Sequence, residues 1–502
     1  MWTRDRLHAL LADRLADYRF ICVANREPYI HVKSPSGVRC TEPDSGVVSA
    51  LDPVLRATGG TWIAHGSGTA DRETVDEKGR VRVPPGDERY ALRRVWLTEE
   101  EEEGYYYGLA NEGLWPLCHI AYQRPVFRKE DWKQYVAVNE KFADAVVDEI
   151  GHSRALVFVQ DYHFALLPKM VKDRAPGAIV CQFWHIPWPN PEAFRICPWK
   201  RELLEGLLGN DLLAFHIQHH CNNFLDTVDR ELEARIDRER HSVVLKGSPT
   251  LIRPHPISTD FDRFSQEAAS PASAERQAAI RKRFRIAGMK VLLSVGRIDY
   301  TKGIIERLQS LDTLLARHPE WIGKVVLLEI GIPSRTRISR YRFLQEEIES
   351  LVTQVNRKYR TGNWKPLYLI REHQDSATLA AFYRMADACL VTSLHDGMNL
   401  VAKEYVSARS DQRGVLVLSQ FTGAARELSQ ALIVNPYAVD DLAESLHQAL
   451  IMPPDEQASR LERLRFTVSE HNVYRWAGKL LGEAARVELA GSEMSSGLSS
   501  QT

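Results

Sequence analysis

The chain has 502 residues and a mass of 57.2 kDa, with 44% hydrophobic and 26% charged residues. That is long enough for two or three domains and too apolar for a chain that stays disordered. With 65 Lys+Arg against 66 Asp+Glu the formal charge is -1, so the whole chain offers no basic footprint for nucleic acid or an anionic membrane, and any anion site has to be local.

Charge alternates with Leu and Ala at helical spacing in the opening stretch MWTRDRLHALLADRLADYRF, which predicts an amphipathic helix and neither a signal peptide nor a membrane span. Seven cysteines, Cys22, Cys40, Cys118, Cys181, Cys197, Cys221 and Cys389, are scattered without a CxxC pair. They predict free thiols in a reducing compartment, and the expected location is cytoplasmic.

Short apolar runs then recur between helix-patterned stretches, the signature of a parallel sheet with crossover helices. FICVAN (Phe20–Asn25), ALVFVQ (Ala155–Gln160), AIVCQFW (Ala178–Trp184) and DLLAFH (Asp211–His216) form a first series. KVLLSVG (Lys290–Gly296), KVVLLEIG (Lys324–Gly331), PLYLI (Pro366–Ile370), ACLVTS (Ala388–Ser393), GVLVLS (Gly414–Ser419) and ALIVNP (Ala431–Pro436) form a second. Between them RPHPISTDFDRFSQEAASPASAERQ, rich in Pro, Ser and Ala, reads as an interdomain connection with the boundary near Ser258. The expected domains are therefore 1–257 and 258–474, each an α/β, Rossmann-like, doubly wound unit, with a disordered polar tail at 491–502. Two such units facing each other predict a cleft, with ligands beyond the carboxyl ends of the strands.

The common nucleotide fingerprints are missing. Gly66-Ser67-Gly68 is not completed to GxGxxG, because Asp71 stands at the last position, and no GxxxxGK[ST] occurs. In VGRIDYTKGIIERL, however, a buried run breaks at Gly296 and a helix pattern begins near Gly303, with Arg297 and Lys302 flanking the turn. Two cations beside the free N–H groups of a helix start suit a diphosphate, although Arg297 could instead pair with Asp299 and leave Lys302 in solvent. SLHDGMNLVAKEYVSA repeats the strand–turn–helix pattern. There Asp396 sits at the turn, Gly397 allows close backbone approach and Glu404 could accept from ribose hydroxyls; a plain helix cap is the other reading of Asp396.

In the first half, Asp161 and His163 follow a buried run in QDYHFALLP, and His185 follows another in QFWHIPWPNPEAF, a loop stiffened by Pro187, Pro189 and Pro191. His185 could lie against a sugar ring or simply pack beside Trp184 and Trp188. The acidic run Glu99–Glu103 reads as solvated. His216, His219, His220 and Cys221 have a spacing compatible with zinc but would need ligands from another segment, so no metal is expected. No GxSxG is present, and Asp161 with Asp396 as a glycosidase pair fits the diphosphate-type turn less well than transfer from an activated sugar.

Taken together, VANREP, GLWPL, QDYH, HIPWPNPEAFR, ELLEGLLGNDLLAFH, GRIDYTKG, IPSR, HDGMNLVAKEY and ALIVNPY, spread from about Phe20 to about Trp476, resemble the retaining glycosyltransferases of the trehalose-6-phosphate synthase type. The resemblance implies a GT-B architecture with an acceptor-side first domain, a nucleotide-sugar-binding second domain, and a terminal helix at about 475–490 that packs back on the first. It implies transfer of glucose from a nucleotide-glucose such as UDP-glucose to glucose 6-phosphate, giving α,α-trehalose 6-phosphate, without metal or other cofactor. The implied partners are these two small molecules, not nucleic acid or membrane, and a homo-oligomer is compatible with the reading.

Position by position, the resemblance assigns Arg297 and Lys302 to the donor diphosphate and Glu404 to the ribose. Asp396, Gly397, Met398, Asn399, Leu400 and Val401 would hold glucose and phosphate, His185 the donor glucose, and Asp161 the acceptor. Arg26, Tyr106, Trp115 and Arg335 match the residues that hold the acceptor phosphate, a chemistry an Arg/Tyr set suits. Ser45-Gly46 stands where the family has a Gly-Gly donor loop.

Departures gather on the acceptor side. His65 replaces the family's tryptophan, Gln160 opens the motif that normally reads HDYH, and His119-Ile120-Ala121 replaces HYR. An acceptor such as glycerol 3-phosphate, or a non-catalytic sugar-phosphate sensor on the same fold, therefore remains an alternative.

Overall fold

The computed structural model describes residues 2–14, 16–43 and 46–498. It divides into two compact units, one formed by Trp2–Ile257 with the chain from Tyr474 onward, the other by Ser258–Val473. Every apolar run picked out above is a strand. The opening helix, Arg4–Arg14, buries Leu7 and Leu11, one turn apart.

In the first unit a ten-stranded sheet runs, edge to edge, Arg235–Asp237, Ser242–Leu245, Ser248–Pro254, Leu212–Phe215, Ile179–Phe183, Arg154–Gln160, Tyr18–Arg26, Thr61–His65, Tyr90–Val95 and Arg80–Val83. The seven central strands are parallel and antiparallel strands close both edges. Strand order reverses between Tyr18–Arg26 and Arg154–Gln160, and the crevice beyond such a reversal is where open sheets bind ligands. The last helix, Val473–Leu498, supplies Trp476, whose ring lies 5.2 Å from Phe183 and 6.0 Å from Phe158. Glu483 pairs with Arg253 at 2.6 Å and His255 at 3.1 Å, and those hydrogen bonds hold its carboxyl down at about 2.

The second unit carries a six-stranded, wholly parallel sheet in the order Leu367–Ile370, Val325–Ile332, Lys290–Arg297, Ala388–Val391, Val415–Ser419, Leu432–Val434. In chain order this is 3-2-1-4-5-6, the dinucleotide-fold arrangement, with its reversal between Lys290–Arg297 and Ala388–Val391. Such strands are covered on both faces, hence their continuous apolar sequences. Helix Ile304–Arg317 packs with Ser339–Tyr359 and Val439–Ile451, while Phe261–Ala269 packs with Ser376–Met385 and Leu400–Ala408. Ile304, Leu308, Leu311 and Leu315 form the buried stripe of the first of these helices, each side chain worth roughly 1.5–3 kcal/mol in burial.

Two sequence expectations are corrected here. The segment read as an interdomain connection is largely helical, because Asp260 accepts from the Arg263 N–H and Ser270 from the Ser273 N–H, with Pro271 at the first position of the second helix. Side-chain caps of this kind satisfy the orphan N–H groups that start a helix. The polar tail expected from 491 begins inside a helix that continues to Leu498; 499–502 lie outside the described residues.

Candidate active site

In the second unit the strand Lys290–Arg297 ends on Arg297 and the chain turns through Asp299 and a short 3-10 segment, Tyr300–Lys302, into the helix at Ile304. Gly303 joins the two at φ +59, and a Cβ there would lie 2.1 Å from the Thr392 carbonyl oxygen. Only glycine fits that approach, so Gly303→Ala should cost about 2–5 kcal/mol in urea unfolding, the sum of left-handed strain and overpacking. Lys302 Nζ stands 2.6 Å from Asp396 Oδ2, both side chains less than one-fifth exposed. The solvated lysine of the alternative reading is thereby replaced by one that bridges the two strands flanking the sheet's reversal.

Asp396 is not the helix cap. Asn399, at φ 87, accepts from the Ala402 N–H and caps Leu400–Ala408. Asp396 Oδ2 additionally accepts from Ser393 Oγ at 3.2 Å and Asn399 Nδ2 at 3.1 Å. The Asp396–Asn399 turn is locked from the next strand end, where Gly423 N–H donates to Asp396 O and Ala424 N–H to Met398 O. A Cβ on Gly423 would meet Gly397 O at 2.0 Å. Gly397 and Met398 are buried and Leu400 and Val401 half-buried. Glu404, a turn into the helix, accepts from the Tyr383 hydroxyl at 2.7 Å.

Asp299 pairs with Arg335 at 2.8 Å, and the Tyr341 hydroxyl sits 3.1 Å from the same carboxylate oxygen. Burial alone would raise the Asp299 pKa, yet the charges of Arg335, Arg297 and Lys302 hold it below the usual range. Arg335 is 7% exposed. Beneath this turn Arg307 forms a two-pronged pair with Glu329, 2.8 Å on each arm, and donates to Thr392 Oγ1 and to Lys302 O. Two features of the sequence point to this network. Arg307 sits on the apolar stripe of its helix, and Glu329 interrupts the apolar strand Val325–Ile332.

In the first unit Arg26 ends its strand with His65 as its register partner on the adjacent strand. Among the described residues Arg26 has no hydrogen-bond or ion-pair partner, and it is only partly buried. Burial lowers His65 to a pKa of about 4 against the opposing pull of the Asp71 and Glu101 carboxylates, so the ring is neutral at physiological pH. Below the next residues lies a buried cluster: Arg94 pairs with Glu27 at 2.8 Å and Asp71 at 2.9 Å, and the three side chains are at most 1% exposed. Glu27 accepts from the Ser67 N–H and Asp71 from the Gly68 and His31 N–H groups, which fixes the GSG loop after His65.

Tyr106 lies on a π-helix, Glu103–Leu114, and Trp115 follows it. Tyr106 stacks on His163 at 5.8 Å and 8°, Trp115 rests 5.8 Å from Tyr162, and the Tyr105 hydroxyl donates to Asn25 Oδ1 at 3.0 Å. Arg26, Tyr106, Trp115 and Asp161 thus flank the strand reversal of the first sheet. Asp161 is held at φ 70, an unusual conformation of the kind that collects at functional sites. Its Oδ1 accepts from the His185 N–H at 3.1 Å. The acidic run is a helix, Glu99–Glu102, with a Thr98/Glu101 capping box, and Glu101 is drawn to Lys141 instead of standing in solvent.

Ser45 lies outside the described residues, and Gly46 is the exposed first residue of the helix Gly46–Thr58. His216 spends its Nε2–H on His185 O at 2.9 Å, and the His216–Cys221 group does not gather ligand atoms. Among the described residues the trio that does is His318, Glu444 and His447, on the second unit. The two imidazoles there are stacked at 3.8 Å and 8°, so their lone pairs run parallel and do not converge on one ion.

Two doubly wound units, one carrying a lysine and an arginine at a strand-to-helix turn without a P-loop or GxGxxG, are the architecture of the GT-B glycosyltransferases. The chain belongs to glycosyltransferase family 20, whose sequence profile matches residues 18–486. It is 36% identical over 91% of its length to the bifunctional trehalose-6-phosphate synthase/phosphatase of Thermoproteus tenax, and spans 62% of that protein. It is 37% identical to the trehalose-6-phosphate synthase of Mycolicibacterium vanbaalenii, covering 93% of this chain and 96% of the relative. A solved structure, the alpha,alpha-trehalose-phosphate synthase (UDP-forming) from Burkholderia xenovorans in complex with glucose-6-phosphate, superposes with a TM-score of 0.83 at 29% identity, over 93% of this chain and 99% of that one. No helix among the described residues is long and apolar enough to cross a membrane.

Proposed function

We propose that the protein transfers glucose, with retention of configuration, from UDP-glucose to glucose 6-phosphate, giving α,α-trehalose 6-phosphate. The observation that carries the reading is Lys302 beside Asp396 at the strand reversal of the second sheet, next to Arg297. The relatives' names supply the substrates. In this reading Arg297 and Lys302 take up the charge that develops on the departing diphosphate, Glu404 holds the ribose, and Asp396 through Val401, with His185, hold the glucose. The acceptor hydroxyl attacks from the face the diphosphate leaves, and a leaving-phosphate oxygen takes its proton. The protein's own work is to orient the acceptor and stabilise the leaving group. Seven free cysteines, none in a disulfide, support a reducing, cytoplasmic setting.

For the acceptor, Arg26, which has no partner among the described residues, supports an anion as its counter-charge, with Tyr106, Trp115 and Asp161 completing that side. Arg335 enters the proposal with its guanidinium already directed by Asp299 and Tyr341. Arg26→Ala should raise the acceptor KM by about 10- to 100-fold, the worth of a charge-assisted hydrogen bond, with little change in the donor KM. Equal losses for a phosphorylated acceptor and its unphosphorylated counterpart would remove Arg26 from the phosphate.

His65, in register with Arg26, favours one second reading: a smaller, polar ring where an indole normally stands opens room for another phosphorylated acceptor such as glycerol 3-phosphate. An activity panel crossing UDP-, ADP- and GDP-glucose with glucose 6-phosphate, glycerol 3-phosphate and free glucose tests both. Turnover of UDP-glucose with glucose 6-phosphate is expected to lead. No turnover with any pair would favour the sensor.

A further inference from the structure

Gln160 ends one strand in register with Phe183, the last residue of its parallel neighbour, and His185 follows in the loop beyond that neighbour. Gln160 is 1% exposed, and its Oε1 lies 2.9 Å from His185 Nε2. The rest of His185 is equally constrained: its N–H donates to Asp161 Oδ1, and its carbonyl accepts from His216 Nε2. Phe183 packs 4.7 Å from the ring. An amide oxygen can only accept, so His185 Nε2 carries the hydrogen, and in a neutral imidazole Nδ1 is then a bare acceptor. Burial keeps the ring neutral, lowering its pKa to about 3. The titratable groups facing it are Asp161 and His216.

The amide nitrogen of Gln160 has no hydrogen-bond partner among the described residues. A buried amide is kept in such a place at a cost unless its other end has a task. Where the resemblance would put a second imidazole at 160, glutamine offers a group that does not titrate, so its hold on His185 does not change with pH.

We propose that Gln160 is a positioning residue that fixes His185 as the Nε2–H tautomer, so that the ring meets the donor sugar with Nδ1 as the acceptor of one hydroxyl proton. This rests on His185 lying against the donor sugar, as proposed above.

The test compares donor kcat/KM across pH for the full-length enzyme and three variants, His185→Ala, Gln160→Glu and Gln160→Met. His185→Ala should lose donor kcat/KM at every pH; an unchanged value would remove the donor contact and overturn the proposal together with that part of the functional reading. Gln160→Glu sets a carboxylate against Nε2–H and favours imidazolium, whose Nδ1 donates. Its acid limb should therefore move up by about one to three pH units, with acceptor KM little affected. Gln160→Met should instead lose roughly tenfold without a pH shift, one neutral hydrogen bond being removed. If His185 matters but Gln160→Glu runs parallel to the wild type, the tautomer role falls while the donor contact stands. Should neither Gln160 variant fold, ¹⁵N-histidine NMR of the unsubstituted enzyme decides, with His185→Ala assigning the resonance. A protonated Nε2 and unprotonated Nδ1 are expected, and the reverse pattern, which the opposite amide orientation would give, overturns the proposal.

Discussion

Lys302→Ala should lower kcat by about two to three orders of magnitude, the effect of removing one donor aimed at charge that develops in the transition state. It should do so with little loss of fold. Its partner Asp396 keeps Ser393 and Asn399 as donors, and the pair is partly reached by water, so the remaining carboxylate is not stranded. Arg297→Ala, at the end of the strand that leads into the same turn, should behave alike. A double-mutant cycle separates this reading from a plain salt bridge. Were Lys302 merely the partner of Asp396, Lys302→Ala, Asp396→Asn and the double variant would all lose the same small amount. If instead Lys302 serves the diphosphate and Asp396 the glucose, each single variant should lose turnover by its own larger amount and the double variant by more than either, at unchanged melting temperature. Near-normal kcat in folded Lys302→Ala and Arg297→Ala would sink the diphosphate role.

The second unit was the more legible of the two in sequence. Its strands are covered on both faces, so they appear as unbroken apolar runs, and each was found within a residue or two of its observed ends. The first sheet also uses Thr61–His65, Tyr90–Val95 and short antiparallel edges, where apolar residues alternate with arginines or are too few to stand out. Tyr90–Val95 carries Arg93 and Arg94 side by side and buries one of them completely. A pattern of period two would have put Arg94 on the face of Leu92, in the core, and so announced a buried ion pair. The site followed the same rule. Arg297, Lys302 and Asp396 were visible because the chain leaves a buried strand there, whereas pairings between distant segments, Asp299 with Arg335 and Gln160 with His185, depend on strand order, which no local spacing encodes. Asn399 displaced Asp396 as the cap for a local reason: it lies directly before Leu400, where the first helical N–H groups can reach its side chain.

Arg94→Ala should destabilise the protein by about 3–5 kcal/mol, a fall of roughly 6–20 °C in the melting temperature of a unit of this size. The argument is the accounting of charge in a place without water. Glu27 and Asp71 converge on one guanidinium, all three at most 1% exposed, and the same arginine also donates to Tyr29 O and meets His31 Nδ1. Removing it leaves two facing carboxyls that cannot both ionise, along with a cavity. The two acids also hold the Ser67, Gly68 and His31 N–H groups, so the loop that follows His65 should loosen and the acceptor KM rise while donor binding is spared. The pH dependence gives the sign of the effect. Burial, with the Asp71 hydrogen bond, already raises Glu27 from 4.5 to about 7. A carboxyl whose folded pKa is raised stabilises fully below its unfolded value and loses that contribution as pH climbs through the folded one. Without Arg94 the raising increases, because the favourable charge is gone. The gap between wild type and variant should therefore be smallest near pH 5 and widen toward pH 8. A melting-temperature difference that stays flat across that range, or narrows, would show that Glu27 does not depend on Arg94 for its charge.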